Sequence, residues 1–508
     1  MSFFVGGPHD DGDAVTGHYY EMATGPDRAQ VWFYTAGLSF TAGDEIVLHG
    51  ISSAPRARII VVRDGLVPLQ KLQAEVAMTW AETPLDCSVK GCDWPEVWRF
   101  VVPRDWTSGV YVVTFVIDGH SSQHMFVVRA AQPLHRLVMV LATGTWCAYN
   151  DWGGSNHYQG LVGDRRTDAA HDVSLLRPWA QGFVAWPDGA PGIPHASPLL
   201  TRPRYPHMEF ARARGVSKKY ASSGWAAFER PFALWCAAQG IGLDYMTQHD
   251  LHRGGLAYDR AVIVGHDEYW SWDMRDRLDA WLDQGGQLAR FAGNFYWQTR
   301  LSQDLLTQTC WKVGDDPVRG PRRTTYWDAP EVGRPAVATM GLTGSMGVYA
   351  GWSRCAAHGS GGFAVYRPEH WSLRETGLGY GDVLGASAKV FGYEVDGVEL
   401  GLKHGLPFAE DAALQGPLQI VAMSPATTLS HHVSSADRDL FIGHLDAEDT
   451  ARVIYGAVNA ETLGRASRGN GCMAEYRRGR GAVFNVGSCE WVNGLIQRET
   501  TVERVTRT

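Results

Sequence analysis

Three segments of the sequence end an apolar run in side chains that can bind a metal ion or move protons. The first, "LATGTWCAYNDWGGSNHY", carries Tyr149 and Tyr158, the second, "VGHDEYW", carries His266 and Glu268, and the third, "FAGNFYW", carries Asn294. Folding alone does not require this density of chemistry directly after a buried strand. We therefore interpret the three segments as parts of one site, and the first as a short loop broken by glycines.

The types of these residues indicate a hard metal ion or acid–base chemistry. Carboxylate and phenolate oxygens suit a hard Lewis acid such as Fe(III) better than zinc, which prefers histidine and cysteine. A histidine two residues from a carboxylate can serve as a general base or bind a substrate oxygen. The alternative is purely structural, since tyrosines in loops usually pack and His266 can be a satisfied core residue. The residues alone leave both interpretations open.

Cys147 offers a different chemistry, because it follows a strand as the nucleophile of a glutaminase-like α/β enzyme would. The sequence around it lacks the Gly-x-Cys-x-Gly elbow that exposes such a sulfur, and no histidine is obviously placed to activate it. We interpret Cys147 as a buried structural thiol. Cys87 and Cys92 are near neighbours, but no second pair completes a zinc pattern.

The elements that must position these residues alternate between strand and helix after residue 132. The segments "HRLVMVLAT", "RAVIVGHDEYW" and "QLARFAGN" read as buried strands, and "AAFERPFALWCAAQGIG" reads as a helix. "SWDMRDRLDAWLDQGG" predicts a second helix, with Ser271 as its cap and a Gly-Gly stop. This order predicts a Rossmann- or flavodoxin-like α/β domain with a parallel sheet, whose ligands lie at the carboxyl ends of the strands. Towards the end, "ARVIYGAV" is read as one of the closing strands.

Residues 1–132 have a different pattern, which predicts a lectin- or immunoglobulin-like β-sandwich domain. Short runs rich in valine, isoleucine and aromatic residues are separated by glycine, proline and aspartate turns, without a convincing helix between them. Pro133 marks the boundary to the α/β domain of residues 133–508. The fold class expected is therefore α/β plus all-β.

The composition describes an ordinary globular protein with an unusual number of tryptophans. A formal charge of -8 and the lack of a basic cluster argue against nucleic acid as a partner. No apolar run is long enough to span a membrane and no secretory signal is recognised, so we expect a cytoplasmic protein with reduced thiols and no membrane partner. The 20 Trp predict a homo-oligomer, with the loops around 152 and 179–187 buried between chains or lining the pocket.

Several motifs together resemble the large (beta) subunit of N,N-dimethylformamidase and its relatives. The segments that carry the resemblance are "TWCAYNDWGGSNHY", "VSLLRPWA", "VGHDEYWSWDMRDRL", "FAGNFYWQTR", "FGYEVDG" and "VFNVGSCEWVNGL". They cover most of residues 134–495 in the family's order. The N-terminal region with "WTSGVYVV" is also similar to the lectin-like sandwich that precedes the catalytic domain in that family.

The resemblance implies a mononuclear Fe(III) held by two tyrosines and one glutamate. Carried over to this sequence, the metal ligands are Tyr149, Tyr158 and Glu268, with Tyr220 and Tyr205 as alternatives for the second tyrosine. The resemblance further implies that His266, Asn294 and Glu394 are the catalytic residues around the metal. It also implies a small amide as substrate and a possible small subunit as partner.

The function expected is therefore iron-dependent hydrolysis of the C–N bond of a small amide. Glu394 is favoured as the base and His266 as its orienting partner, since a nearby cation disfavours a protonated histidine. Asn294 is expected to bind the carbonyl oxygen or the tetrahedral intermediate. Two alternatives stay open: a carbohydrate- or partner-binding protein without catalysis, and a cysteine-dependent amidase using Cys147.

Overall fold

The computed structural model of the protein describes residues 4–6, 19–161, 168–193, 206–349, 361–427 and 443–508. It divides into two compact units: the first comprises Met1–Pro191, His207–Leu251 and Arg300–Cys310, and the second Gly192–Pro206, His252–Thr299 and Trp311–Thr508. The protein is mixed α/β, with many strands in several sheets. The lectin-like and Rossmann-like assignments and the domain boundary at 132/133 stay predictions.

The N-terminal part of the first unit consists largely of strands, as its alternating pattern predicts. They are β1 (Phe4–Gly6), β2 (Tyr19–Glu21), β3 (Val31–Thr35), β4 (Ser39–Thr41), β5 (Glu45–Ser52), β6 (Arg56–Arg63), β7 (Leu69–Ala77), β8 (Glu96–Val101), β9 (Gly109–Ile117) and β10 (His120–Arg129), with the one-turn helix α1 (Cys87–Lys90). One sheet has the order β4-β10-β9-β6-β7 and another the order β3-β5-β8. Their apolar faces share one core, in which Phe33 stacks on Phe115 at 3.9 Å between ring centroids.

The middle of the chain alternates between strands and helices, and the predicted helices are confirmed. The elements are β11 (Leu137–Leu141), α2 (Thr143–Tyr149), β12 (Asp172–Ser174), α3 (Pro206–Arg214), α4 (Glu229–Ala238), β13 (Asp244–Thr247), α5 (Gln248–Gly254), β14 (Arg260–His266), β15 (Tyr269–Ser271), α6 (Trp272–Asp283), β16 (Gln287–Gly293), β17 (Trp297–Leu301) and β18 (Thr307–Thr309). Ser271 caps α6, because its hydroxyl accepts the N–H of Met274 at 3.2 Å.

The interpretation of residues 143–149 as loop is wrong, since they form the buried helix α2. Partners from distant parts of the first unit stabilise this helix. Gly144 N–H donates to the side chain of Gln248 at 2.9 Å, and the indole of Trp146 donates to Glu229 at 3.1 Å. The loop begins only after Asn150, where Gly153 and Gly154 have φ angles of 79° and 103°. The Gly-Gly pair therefore ends the segment's regular structure without preventing the helix before it.

The elements from residue 337 onwards lie in the second unit. The remaining elements are α7 (Val337–Met340), β19 (Thr343–Tyr349), β20 (Phe363–Val365), β21 (Val383–Leu384), β22 (Glu394–Gly397), β23 (Leu400–Lys403), β24 (Leu406–Ala409), β25 (Leu418–Thr427), α8 (Gly443–Ile454), α9 (Ala460–Ala466), β26 (Arg468–Arg478), β27 (Gly481–Asn485), α10 (Val492–Ile496) and α11 (Thr500–Arg507). Within this unit the strands lie in the order β14-β16-β27-β26-β25-β20-β21. The pairs β14–β16 and β16–β27 are parallel, as predicted, whereas β25, β26 and β27 pair antiparallel.

The prediction that "ARVIYGAV" is a strand is wrong. Its first four residues end the helix α8. Ala447 and Ala451 are fully buried and stand four residues apart, so they lie on one face of α8 and pack with Ala466 of α9. The β-branched residues of the segment favour a strand, but the packing of these alanines outweighs that preference.

The structure also describes the tryptophans and cysteines on which two of the expectations rest. Trp152 and Trp179 are buried inside the first unit, where Trp152 contacts Trp32 and Trp94, whereas Trp186 is 37% exposed. The burial of these loops between chains or around the pocket stays a prediction. The cysteines in the part of the chain that the structure describes are free, buried thiols. Among these same residues, no helix is both long enough and apolar enough to cross a membrane.

Candidate active site

The carboxyl ends of β14 and β16 lie side by side in the second unit and carry two of the predicted residues. His266 is the last residue of β14 and is in register with Gly293, the last residue of β16. Asn294 follows at once, with a φ angle of 65° that turns the chain out of the strand. The parallel pairing therefore brings the second and third motifs to one edge of the sheet, as their sequence order predicts.

His266, Glu268, Asn294 and Glu394 form one buried cluster. The Nε2 atom of His266 lies 2.6 Å from Glu394 Oε2 and 3.2 Å from Glu268 Oε2. The side-chain amide of Asn294 donates to Glu394 Oε2 at 3.0 Å. The structure thus brings together all three predicted catalytic residues and the predicted carboxylate ligand.

Neighbouring aromatic side chains fix the orientation of this cluster. The hydroxyl of Tyr393 is hydrogen-bonded to Nδ1 of His266 at 3.1 Å, so the Nε2 atom is directed at the carboxylates. The indole of Trp297 donates to Glu268 Oε1 at 2.6 Å. Each acidic or basic group of the cluster therefore has a partner that holds it in place.

Burial and proximity change the protonation of the cluster. Burial alone would lower the pKa of His266, but the carboxylates of Glu394 and Glu268 outweigh it and raise that pKa well above its usual value. Burial raises the pKa of Glu394, His266 lowers it, and Glu268 raises it, with a net upward shift. The imidazole and the two carboxylates therefore bind protons as a coupled group.

A second layer of charge lies beneath the cluster and holds its backbone. The guanidinium of Arg290 forms ion pairs with Asp267 and Asp396, and all three side chains are fully buried. Asp396 in turn accepts the backbone N–H of Asn294 at 2.7 Å. This network connects the segments that carry Glu268, Asn294 and Glu394, so the acidic groups are held before any ligand binds.

The other two predicted ligands, Tyr149 and Tyr158, are neighbours in the first unit. Their ring centroids are 4.6 Å apart. Asn156 joins their backbones, because its Nδ2 donates to the carbonyl of Tyr149 at 3.1 Å and its Oδ1 accepts the N–H of Tyr158 at 2.8 Å. The ammonium of Lys219 lies 5.2 Å from the centroid of the first ring and 4.9 Å from that of the second.

The alternatives for the second tyrosine are not supported by a comparable arrangement. The hydroxyl of Tyr220 donates to the carbonyl of Pro191 in the same unit. Tyr205 lies outside the described residues. The ligand set of Tyr149, Tyr158 and Glu268 stays a prediction.

The donors present fit a hard metal ion by their type. The first unit offers two adjacent phenols, and the second unit offers the buried carboxylate of Glu268. Within the second unit, ligand atoms of His266, Glu394 and Cys489 also lie within 4.8 Å of one another, a mixed set that suits zinc better than Fe(III). These residues can bind a metal ion, and the mixed set makes zinc a second candidate beside Fe(III).

The environment of Cys147 does not suit a nucleophile. Its side chain is buried, and burial raises the pKa of its thiol to about 12. A cysteine nucleophile acts as the thiolate, which such a thiol does not form at neutral pH. The cysteine-dependent alternative therefore lacks support from this residue.

Some residues of the site were not singled out from the sequence. Tyr393, Asp267 and Asp396 stand inside the quoted motifs, next to predicted site residues. The density of polar side chains in these motifs was therefore the signal that could have identified them. Asn156 also stands inside a quoted motif, between the two tyrosines. Lys219 had no such signal, since a lysine in a polar loop is ordinarily a solvated residue.

The comparison with protein families gives a match over most of the chain. The sequence profile described as "N,N-dimethylformamidase beta subunit-like, C-terminal" matches residues 67–502. A search among curated proteins returned no significant match. The matched region includes every predicted site residue. The chain therefore belongs to the N,N-dimethylformamidase beta subunit-like family.

Proposed function

We propose that the protein is an iron-dependent amidohydrolase that hydrolyses the C–N bond of a small amide to a carboxylate and an amine. The observation that carries this proposal is the buried cluster of His266, Glu268, Asn294 and Glu394 at the ends of two parallel strands. Membership of the family supports the proposal, because a dimethylformamidase-like protein is expected to hydrolyse an amide. The proposed ligands of the iron are Tyr149, Tyr158 and Glu268.

The chemistry divides between the metal and the protein. When bound, Fe(III) would supply a Lewis acid for the amide carbonyl. Glu394 accepts the proton of the attacking water and returns it to the amine nitrogen as the C–N bond breaks. A base in this position needs a fixed orientation, which His266 at 2.6 Å and the amide of Asn294 at 3.0 Å supply.

Asn294 has two amide hydrogens and therefore two tasks. One is donated to Glu394. We assign the other to the substrate carbonyl, whose oxygen gains negative charge as water adds to the carbon. Asn294 would then contact both the base and the oxygen that becomes negatively charged.

The proposal extends to fold and assembly. We infer a lectin-like sandwich domain in residues 1–132 and a Rossmann-like catalytic domain in 133–508. The name of the family supports a multi-subunit protein, with this chain as the larger, catalytic partner and a small subunit beside it. Light scattering on the purified chain should report an oligomer, and a monomer at micromolar concentration would contradict this part of the proposal.

Metal analysis combined with an amine-release screen tests the function. Purified protein is expected to contain one iron per chain and to show a phenolate-to-iron absorption band. It is then tested for release of amine from formamides, acetamides and anilides. Zinc without iron would favour the donors His266, Glu394 and Cys489 and overturn the ligand assignment. Metal-free protein that releases no amine would favour a binding protein instead.

A further inference from the structure

We infer that Lys219 is a positioning residue that places a fixed positive charge against the two tyrosine rings and tunes their electron donation. The inference rests on the proposed function, in which Tyr149 and Tyr158 are metal ligands. The ammonium of Lys219 lies 5.2 Å from the ring centroid of Tyr149 and 4.9 Å from that of Tyr158. Lys219 is buried, with 7% of its surface exposed. The same ammonium group therefore lies near both tyrosine rings.

Hydrogen bonds within the first unit hold Lys219 in this place. Its backbone N–H donates to the hydroxyl of Ser217 at 3.0 Å, and that hydroxyl donates to Asp151 Oδ1 at 2.6 Å. Both Ser217 and Asp151 are buried. Asp151 follows Tyr149 by two residues, so the lysine is fastened to the segment that carries the tyrosine.

A buried cation has a defined effect on a phenolate donor. The positive charge stabilises the electrons of the ring and its oxygen, and burial keeps water from screening that attraction. More energy is then needed to move an electron from the phenolate to the metal. Loss of the charge should therefore shift the charge-transfer band to longer wavelength.

Lys218 provides a matched control. Its ammonium lies 5.4 Å from the ring centroid of Tyr19, so the two adjacent lysines make the same kind of contact with different tyrosines. The ring contact of Lys218 is with a tyrosine that is not a proposed ligand, whereas the ring contacts of Lys219 are with the two proposed ligands. A general effect of removing a lysine from this segment would appear in both variants.

The test compares the absorption spectrum and iron content of Lys219→Met, Lys219→Arg and Lys218→Met with those of the unaltered protein. Lys219→Met should retain iron but absorb at longer wavelength, whereas Lys219→Arg and Lys218→Met should keep the original maximum. If Lys219→Met does not fold, Lys219→Gln is measured in its place, with thermal unfolding as the check of folding.

The outcomes separate this inference from the proposed function. A Lys219→Met protein with iron and an unchanged band overturns the inference, while the tyrosine ligands stand. The same holds if Lys218→Met shifts the band equally. Unaltered protein without iron or without a phenolate band overturns the tyrosine assignment and, with it, the role of Lys219.

Discussion

Two buried carboxylates share one imidazole in the second unit, and this arrangement bears on the proposed roles of the three residues. His266 is held on both ring nitrogens, by Tyr393 on one side and by the glutamates on the other. An imidazole fixed in this way is well suited to orient its partners. Glu394 receives hydrogen bonds but is not a proposed metal ligand, and for this reason we propose it as the group that exchanges protons with substrate.

The first prediction concerns Glu394→Gln. The variant should retain iron and its colour but lose at least about a hundredfold in turnover, the usual effect of removing a general base. Turnover and iron content are measured together, with Glu399→Gln, a nearby exposed glutamate, as the control. Normal turnover in Glu394→Gln combined with an inactive His266→Ala would reverse the two roles.

The second prediction concerns Tyr149→Phe. Only a hydroxyl is lost from a buried ring, so the fold should persist while the absorption band and the activity disappear. Tyr220→Phe is the control, because that hydroxyl is bonded to a backbone carbonyl and should leave the iron in place. Full iron occupancy in Tyr149→Phe would refute the assignment of this tyrosine.

At the scale of elements, the site depends on how closely β16 approaches the segments around it. At the end of β16, a Cβ atom on Gly293 would lie 2.5 Å from the carbonyl oxygen of Glu394 and 2.8 Å from the backbone nitrogen of Cys489. Side chains do not tolerate such distances, so glycine is required here by contact with backbone. The glycine of "FAGN" therefore lets the strand ends that carry Asn294 and Glu394 meet.

The third prediction follows from this contact. Gly293→Ala should push β16 and β22 apart, and both activity and the midpoint of thermal unfolding should fall. Gly464→Ala in α9, where no backbone atom lies close, is the matched control and should leave activity unchanged, with a gain in stability of up to about 1 kcal/mol. Full activity in Gly293→Ala would show that the approach of the strands is not needed.

The sequence predicted the elements whose signals are local and missed those determined by distant contacts. Ser271 as the cap and the Gly-Gly pair as the stop define α6 within a few residues. By contrast, α2 depends on Gln248 and Glu229, about a hundred residues away, and no local pattern reports them. The same holds for the site: His266 and Glu268 were visible in one motif, whereas the contact of Lys219 with two tyrosines exists only in the folded chain.

At the scale of the whole molecule, the stability of the first unit should depend on pH through its buried core. His124 in β10 is buried between Phe33 and Trp179, and burial lowers the pKa of its imidazole to about 3. The unfolded chain titrates near the ordinary value of about 6.5. Between these values the unfolded state binds the extra proton, so stability is lost as the pH falls from about 6.5 towards 3.

The fourth prediction is therefore a steep acid destabilisation that depends on His124. Thermal unfolding is measured at about pH 7.5 and about pH 5. The midpoint should fall at the lower pH, because protonation of this group in the unfolded chain removes on the order of 2 kcal/mol from the free energy of unfolding. His124→Gln cannot take up the proton, so its midpoint should change less between the two conditions. Equal changes in both proteins would show that other groups cause the loss.

The charge network of Arg290 has a consequence for how the protein matures. Its one cation and two carboxylates are fully buried and satisfy each other without an ion from outside. The framework beneath the candidate site therefore uses protein groups alone, and on the proposed function we expect it to form before iron binds. We expect loading with metal to be a late step, added to a finished apoprotein, so that protein produced under iron starvation is a reservoir that iron can still activate.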